Sequence, residues 1–163
     1  MVKDESVPPT PEIARYEGDY EDVLELLRMS MGMVDHDAVR SLLAIEKVRG
    51  AQYLTASVNG EAVGIIGLWC DPSGATSWLE PARVIDFAVA PEHRRKGIGR
   101  ALMEEAVRIV ESSGQQWLWL DTGLGDERDV VYTSYGFKMV SVIPDWFGEG
   151  VHKAVYRRKL AGD

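Results

Sequence analysis

A cationic glycine turn between a strand pattern and a helix pattern constrains this chain more than any other feature. Residues 84–89 (VIDFAV) form an apolar run of strand length with a single charge, Asp86. Pro91 and Glu92 follow, then His93-Arg94-Arg95-Lys96-Gly97-Ile98-Gly99-Arg100. Beyond the turn, Leu102, Ala106, Ile109 and Val110 recur at helical spacing over residues 98–112, and Gly114 ends the run. A strand that enters a helix through such a turn leaves backbone N–H groups free at the positive helix end, which makes an anion site. Gly97 and Gly99 lack a Cβ, so a phosphate can come close to the backbone there. Arg94, Arg95, Lys96 and Arg100 add positive charge in a chain whose net charge is −8. An acidic protein with one basic cluster suits a compact polyanion. Nucleic acid and anionic membranes attract broadly basic surfaces and are not expected partners.

The spacing excludes two common phosphate motifs. No Gly-Lys-Ser/Thr follows a P-loop spacer, and the third glycine of a dinucleotide fingerprint is missing. What stands is Arg94-x-x-Gly97-x-Gly99, opening a helix after a strand.

The rest of the chain reads as one domain. Residues 1–11 hold three prolines and form an irregular lead-in, and residues 12–163 form the domain. A short strand is predicted at 13–16, and a helix capped by Asp19 ends near Met29. A second helix, capped by Asp35 or Asp37, carries Val39, Leu42, Leu43, Ile45 and Val48 to Gly50. Residues 52–58 and 61–70 alternate as strands around Asn59-Gly60, a strong hairpin signal. Strands are expected at 84–89, 116–120, 137–143 and 151–160, with helices at 98–112 and about 126–135. Loop composition marks 71–80, with Trp78, and 144–150, with Trp146 and Phe147. The order β-α-α-β-β-β-α-β-α-β-β gives an α/β (α+β) fold with one parallel strand–helix–strand unit flanked by hairpins.

On these residues the chain resembles the GNAT acetyltransferase superfamily. That family's central motif reads Arg/Gln-x-x-Gly-x-Gly/Ala after a strand and binds the pyrophosphate of acetyl-coenzyme A. The later segment Tyr132-Thr133-Ser134-Tyr135-Gly136-Phe137 is similar to its Tyr-x-x-x-Gly-Phe. The resemblance covers about residues 12–160. It implies the GNAT fold: a mixed, mostly antiparallel sheet of about seven strands, helices on both faces, and a parallel pair splayed to admit the pantetheine arm. It also implies acetyl-coenzyme A as cosubstrate, contacted by Phe87, Ala88, Val89, Arg94, Arg95, Lys96, Gly97, Ile98, Gly99, Arg100, Ala101 and Tyr132. Gly125-Asp126 departs from the family, many of whose members carry a coenzyme-binding asparagine in this region.

The implied reaction is acetyl transfer to a primary amine of a small molecule (an antibiotic, a polyamine or an amino-acid-like compound) by direct attack in a ternary complex. An amine is cationic at neutral pH, so a carboxylate must remove a proton before it attacks. Tyr132, which takes the place of the family's tyrosine beside the coenzyme sulfur, is the candidate general acid. Asp121 and Asp86 are the two candidate bases. Asp121 ends the strand pattern in Leu120-Asp121-Thr122, eleven residues before Tyr132, a segment that resembles tabtoxin-resistance-type enzymes. Asp86 is a lone carboxylate in an apolar strand, so it either meets a partner or faces the site. Backbone amides of residues 87–89 are the expected oxyanion donors.

Two other readings stand beside this one: a non-catalytic acyl-coenzyme A sensor, which needs the turn but no acid or base, and a peptide or protein N-acetyltransferase. His36, His93 and His152 lack ligand spacing, so no metal is expected. Cys70, the only cysteine, reads as core and suits a reducing cytoplasm. Met29, Met31 and Met33 read as core filling or as an adaptable wall to the acceptor. No apolar run approaches the length of a membrane span. Oligomeric state is left open, with a homodimer as the default.

Overall fold

The computed structural model describes residues 10–33, 35–71, 73, 75 and 80–161. Strand β1 (Glu12–Arg15) leads through a 3₁₀ turn (Glu21–Val23) into helices α1 (Leu24–Met31) and α2 (His36–Val48). Asp35 caps α2, its carboxylate accepting the Asp37 amide at 2.9 Å. Strands β2 (Gln52–Val58) and β3 (Glu61–Trp69) turn at Asn59 and Gly60, both at positive φ (53° and 82°), as a two-residue hairpin demands. Strand β4 (Ala82–Val89), helix α3 (Ile98–Ser112), strand β5 (Trp117–Gly123), helix α4 (Asp126–Ser134) and strands β6 (Lys138–Ile143) and β7 (Lys153–Lys159) complete the chain. The expected element order is the observed one. Residues 1–9, most of the predicted lead-in, and Trp78 lie outside the described residues.

The sheet runs β1-β2-β3-β4-β5-β7-β6 and is antiparallel except between β4 and β5. That parallel pairing is short: Ala82 lies opposite Leu118 and Arg83 opposite Trp119, and there it stops. The buried Gln115 side chain fastens this end, accepting the Ala82 amide at 2.7 Å while donating to Cys70 Sγ and to the Asp71 carbonyl. Beyond Arg83 each strand follows its other neighbour, β3 for β4 and β7 for β5, and the two part. Pairing with β7 also extends β5 through Asp121, Thr122 and Gly123, which the sequence pattern placed at and beyond the strand end.

Two cores cover the sheet from opposite sides. Leu102, Met103, Ala106 and Val110 of α3 pack on Leu68, Ala82, Val84, Leu118 and Tyr156. Val23, Leu27, Val39 and Leu43, from the α1–α2 side, pack on Tyr53, Ile65 and Ala88. A bulge in β4 decides which core each residue of that strand meets. Gly67 is opposite Asp86 but Leu68 is opposite Val84, so Ile85 is an extra residue. Val84 therefore faces the α3 core, whereas Asp86 is turned to the α1 side, beside Tyr53. Without the bulge, strand alternation would put Asp86 on the face of Val84.

Candidate active site

The glycine turn joins β4 to α3 and leaves its backbone amides free, with a division of labour between its glycines. Gly97 sits at φ +82°, and a Cβ added there meets no protein atom within 4 Å. Its bare side therefore faces open space at the mouth of α3. Gly99 differs: a Cβ there would lie 2.9 Å from the Tyr135 hydroxyl and 3.1 Å from Phe87 Cζ. At this second glycine a methyl would press on the ends of two rings, Tyr135 and Phe87. Arg95 also adopts positive φ (59°), while Arg94 has extended backbone and its Nε donates to the Val89 carbonyl at 2.9 Å, tying the turn to β4. Among the described residues, the amides of Lys96, Gly97, Ile98, Gly99 and Arg100 have no hydrogen-bond partner. Five free donors at a helix N-terminus, with exposed Arg94, Arg95 and Lys96 around them, could hold an anion.

Not every residue expected at the coenzyme belongs to this cradle. The Ala101 amide donates to the Gly97 carbonyl at 3.0 Å, so it is engaged within the helix. The Ile98 side chain is buried in the α3 core and contributes only its amide. Arg100 turns away, its guanidinium over the Tyr135 ring. In β4, the Ala90 amide donates to the Val63 carbonyl at 2.8 Å. Ladder alternation then points the Ala88 amide at β3 and the Phe87 and Val89 amides toward the opening beside β5. The Phe87 amide is held by Ser30 Oγ at 2.7 Å, which leaves Val89 as the free donor of the three.

Tyr132 stands on the α3 side of the opening. Its ring packs between Phe87 of β4 and Tyr156 of β7, at centroid distances of 6.5 and 5.5 Å, and edge-on to Phe137. Burial holds its phenol above the ordinary tyrosine range, so the hydroxyl keeps its proton. Among the described residues that hydroxyl has no hydrogen-bond partner and is available to a ligand.

The two carboxylate candidates both face the α1 side, in different states. Asp86 is 5% exposed and receives the Tyr53 hydroxyl at 2.9 Å and the Ser30 hydroxyl at 3.3 Å. Burial pushes its carboxyl up to about 6, and the two hydrogen bonds pull against that rise. Asp121 is fixed as a counter-ion, with one oxygen on Arg83 Nη2 and the other on Lys153 Nζ at 2.8 Å. A carboxylate with both oxygens held by cations is a strut, whereas one raised toward neutral pH is poised to take a proton.

Four residues of this arrangement escaped the sequence reading. Ser30 lay in a methionine-rich connection, and Tyr53 in a hairpin strand where an aromatic reads as core. Arg83 precedes the strand expected at 84–89 and Lys153 falls within the one expected at 151–160, and neither position marks a site. A lone buried carboxylate implies partners without naming them, and only the fold brings residues 30, 53 and 86 together. Met29, Met31 and Met33 are partly buried against the second core, and Cys70 is buried. Trp146 lies over Lys153, its ring centroid 4.3 Å from Nζ. Among the described residues no helix is long and apolar enough to cross a membrane, and no group of three or more His, Cys, Asp or Glu is placed to hold a metal.

Comparison with known proteins agrees with this geometry. The model of the acetyltransferase (GNAT) domain matches residues 49–139, more than half of the chain. The ribosomal protein bS18-alanine N-acetyltransferase of Escherichia coli K12 is 30% identical over 70 residues, 42% of this chain and 47% of that protein. The streptothricin acetyltransferase of Streptomyces lavendulae is 41% identical over 63 residues, 38% of this chain and 33% of that protein. These matches thus span half or less of the relatives' length. A GNAT acetyltransferase of Elizabethkingia anophelis, crystallised with acetyl-CoA, shares the fold with a TM-score of 0.73 at 17% identity, covering 93% of this chain and 99% of that one. With its parallel pair parted beside the glycine cradle and the domain model matched across it, the chain belongs to the GNAT acetyltransferase family.

Proposed function

We propose that the protein transfers the acetyl group of acetyl-coenzyme A to a primary amine of a small molecule, by direct attack in a ternary complex. The observation that supports this reading is the Tyr132 hydroxyl, without a partner among the described residues, packed against Phe87 on the strand that parts from β5 beside the free amides of the glycine turn. The cosubstrate is acetyl-coenzyme A, its pyrophosphate on the free amides from Lys96 to Arg100 and its pantetheine arm between β4 and β5. The thioester carbonyl meets the Val89 amide. The thiol end lies toward Tyr132, and the amine enters from the face that carries Asp86.

The amine nitrogen attacks the thioester carbon, a C–N bond forms and the C–S bond breaks. The amine's proton passes toward Asp86, through water or the Ser30 hydroxyl, which already donates to that carboxylate. Tyr132 gives its proton to the departing thiolate. A base raised to about 6 is ionised at neutral pH yet more basic than an ordinary aspartate.

The test is thiol release from acetyl-coenzyme A over a panel of amines. Tyr132→Phe is expected to lower kcat by about 10²-fold, the lower range for a general acid, with coenzyme affinity little changed. Turnover unaffected by that substitution removes Tyr132 as the acid. Tight coenzyme binding with no thiol release for any amine, peptide N-termini included, favours a sensor instead.

A further inference from the structure

Resting on the transferase reading above, we propose that the acceptor is an apolar amino acid, its carboxylate read by Lys153 and Arg83 and its side chain laid on a tryptophan-lined groove. The α1-side face of β5 and β7 carries the residues concerned. Trp117, Trp119 and Asp121 alternate along β5 away from the buried Leu118 and Leu120, and Lys153, Val155 and Arg157 alternate along β7 away from Ala154 and Tyr156. Asp86 is turned to the same side of the sheet by the β4 bulge. The amine-accepting carboxyl and this face therefore lie on one side of the sheet.

Charge selects the acceptor. The whole chain is acidic, at −8, yet here two cations share one carboxylate. Lys153 is 15% exposed and Arg83 30%, and Arg83 Nε is buried with no partner among the described residues. Arg157, laid over Trp117 at 3.3 Å from the ring centroid, has no ion-pair partner among the described residues. Glu80 lines the groove beside Trp117 and Trp119. A polyamine or aminoglycoside would bring further positive charge against these cations. An acceptor with a carboxylate beside its amine places that anion by Lys153 and Arg83 and its amine toward Asp86.

Shape selects the rest. Trp117, Trp119, Val140, Val155 and Pro81, with Arg157 and Glu80, line a groove of about 420 Å³. Its walls are mostly apolar, and one of them, Trp119, carries the Arg83 guanidinium 4.6 Å from its ring centroid. A groove of this size takes an aromatic or branched aliphatic side chain. The products are an N-acetyl amino acid and free coenzyme thiol, with the amine's proton leaving through Asp86 as above.

The experiment compares kcat/KM for L-phenylalanine, L-phenylalaninamide, 2-phenylethylamine and spermidine, by thiol release, in the wild type, Lys153→Met and Lys153→Arg. Wild type is expected to prefer phenylalanine to 2-phenylethylamine and to the amide by at least about 10-fold, through KM, with spermidine poorest. Lys153→Met should bring the phenylalanine to 2-phenylethylamine ratio near 1, while Asp121 keeps its Arg83 partner, and Lys153→Arg should restore most of it. Equal or better use of 2-phenylethylamine, the amide or spermidine by the wild type overturns the inference and leaves the transferase reading standing. No turnover of any of these amines, or of the wider panel, by protein that binds acetyl-coenzyme A overturns both.

Discussion

Replacing Asp86 with asparagine should make the protein more stable at neutral pH while making it a poor catalyst. Asp86 is buried, and its carboxyl is raised from about 3.8 to about 6. The folded state therefore holds a proton that the unfolded chain releases between roughly pH 4 and 6. Over that window stability falls as pH rises, the reverse of an ion-paired aspartate, and above pH 6 the loss is complete. A carboxyl raised this far costs the folded state about 3 kcal/mol once it is ionised. Asparagine removes the titration and fits the same partners: its oxygen accepts from Tyr53, and its amide donates to Ser30, which still accepts the Phe87 amide. For a domain of this size, about 3 kcal/mol is roughly 6–12 °C in Tm. Thermal melts of wild type and Asp86→Asn from pH 4 to 8 should nearly coincide at pH 4 and separate to that gap by pH 7. Acetyl transfer at pH 7.5 should fall by about 10²-fold or more in the variant. Melting curves with a constant offset across the range would refute the raised carboxyl, and unaltered turnover would remove Asp86 from the proton path.

Two further outcomes follow from the same contacts. Tyr53→Phe removes a hydrogen bond that holds the Asp86 carboxyl down, so the acid limb of the kcat/KM profile should move to higher pH, by about 1 on the pH scale; an unmoved limb would uncouple Tyr53 from the base. Gly99→Ala presses a methyl on Tyr135 and Phe87 and should destabilise by about 1–3 kcal/mol, seen as a lower Tm without any ligand; an unchanged Tm would mean that these rings yield freely.

The fold was legible because its local signals agree. Asn59-Gly60 fixes a hairpin, Asp35 a helix start, and the glycine turn a strand–helix junction, each by backbone chemistry that neighbours in sequence decide. The cradle was legible for the same reason, since its amides lie within a few residues. What the sequence left open is the choice between the two aspartates. Asp121 lies near the end of a parallel strand, where ligands collect. Its state depends on Arg83 and Lys153, distant in the chain and joined only by the sheet. Asp86 owes its orientation to one extra residue, Ile85, which shifts a register that strand alternation reads as unbroken. A bulge of this kind leaves no mark in an apolar run, because both faces of β4 are covered and either register buries apolar side chains.

The central claim is that the turn at Gly97 receives the coenzyme pyrophosphate, and Gly97→Ala tests it most directly. The added methyl meets no protein atom within 4 Å, so the unliganded protein bears only the strain of a positive φ, about 1–2 kcal/mol. Calorimetric titration with acetyl-coenzyme A, beside a far-UV spectrum of each protein, separates ligand from fold. The expected result is a native spectrum with affinity reduced by at least about 10-fold. Unchanged affinity in a folded Gly97→Ala protein would contradict the account, because a pyrophosphate seated on those amides leaves no room for the methyl.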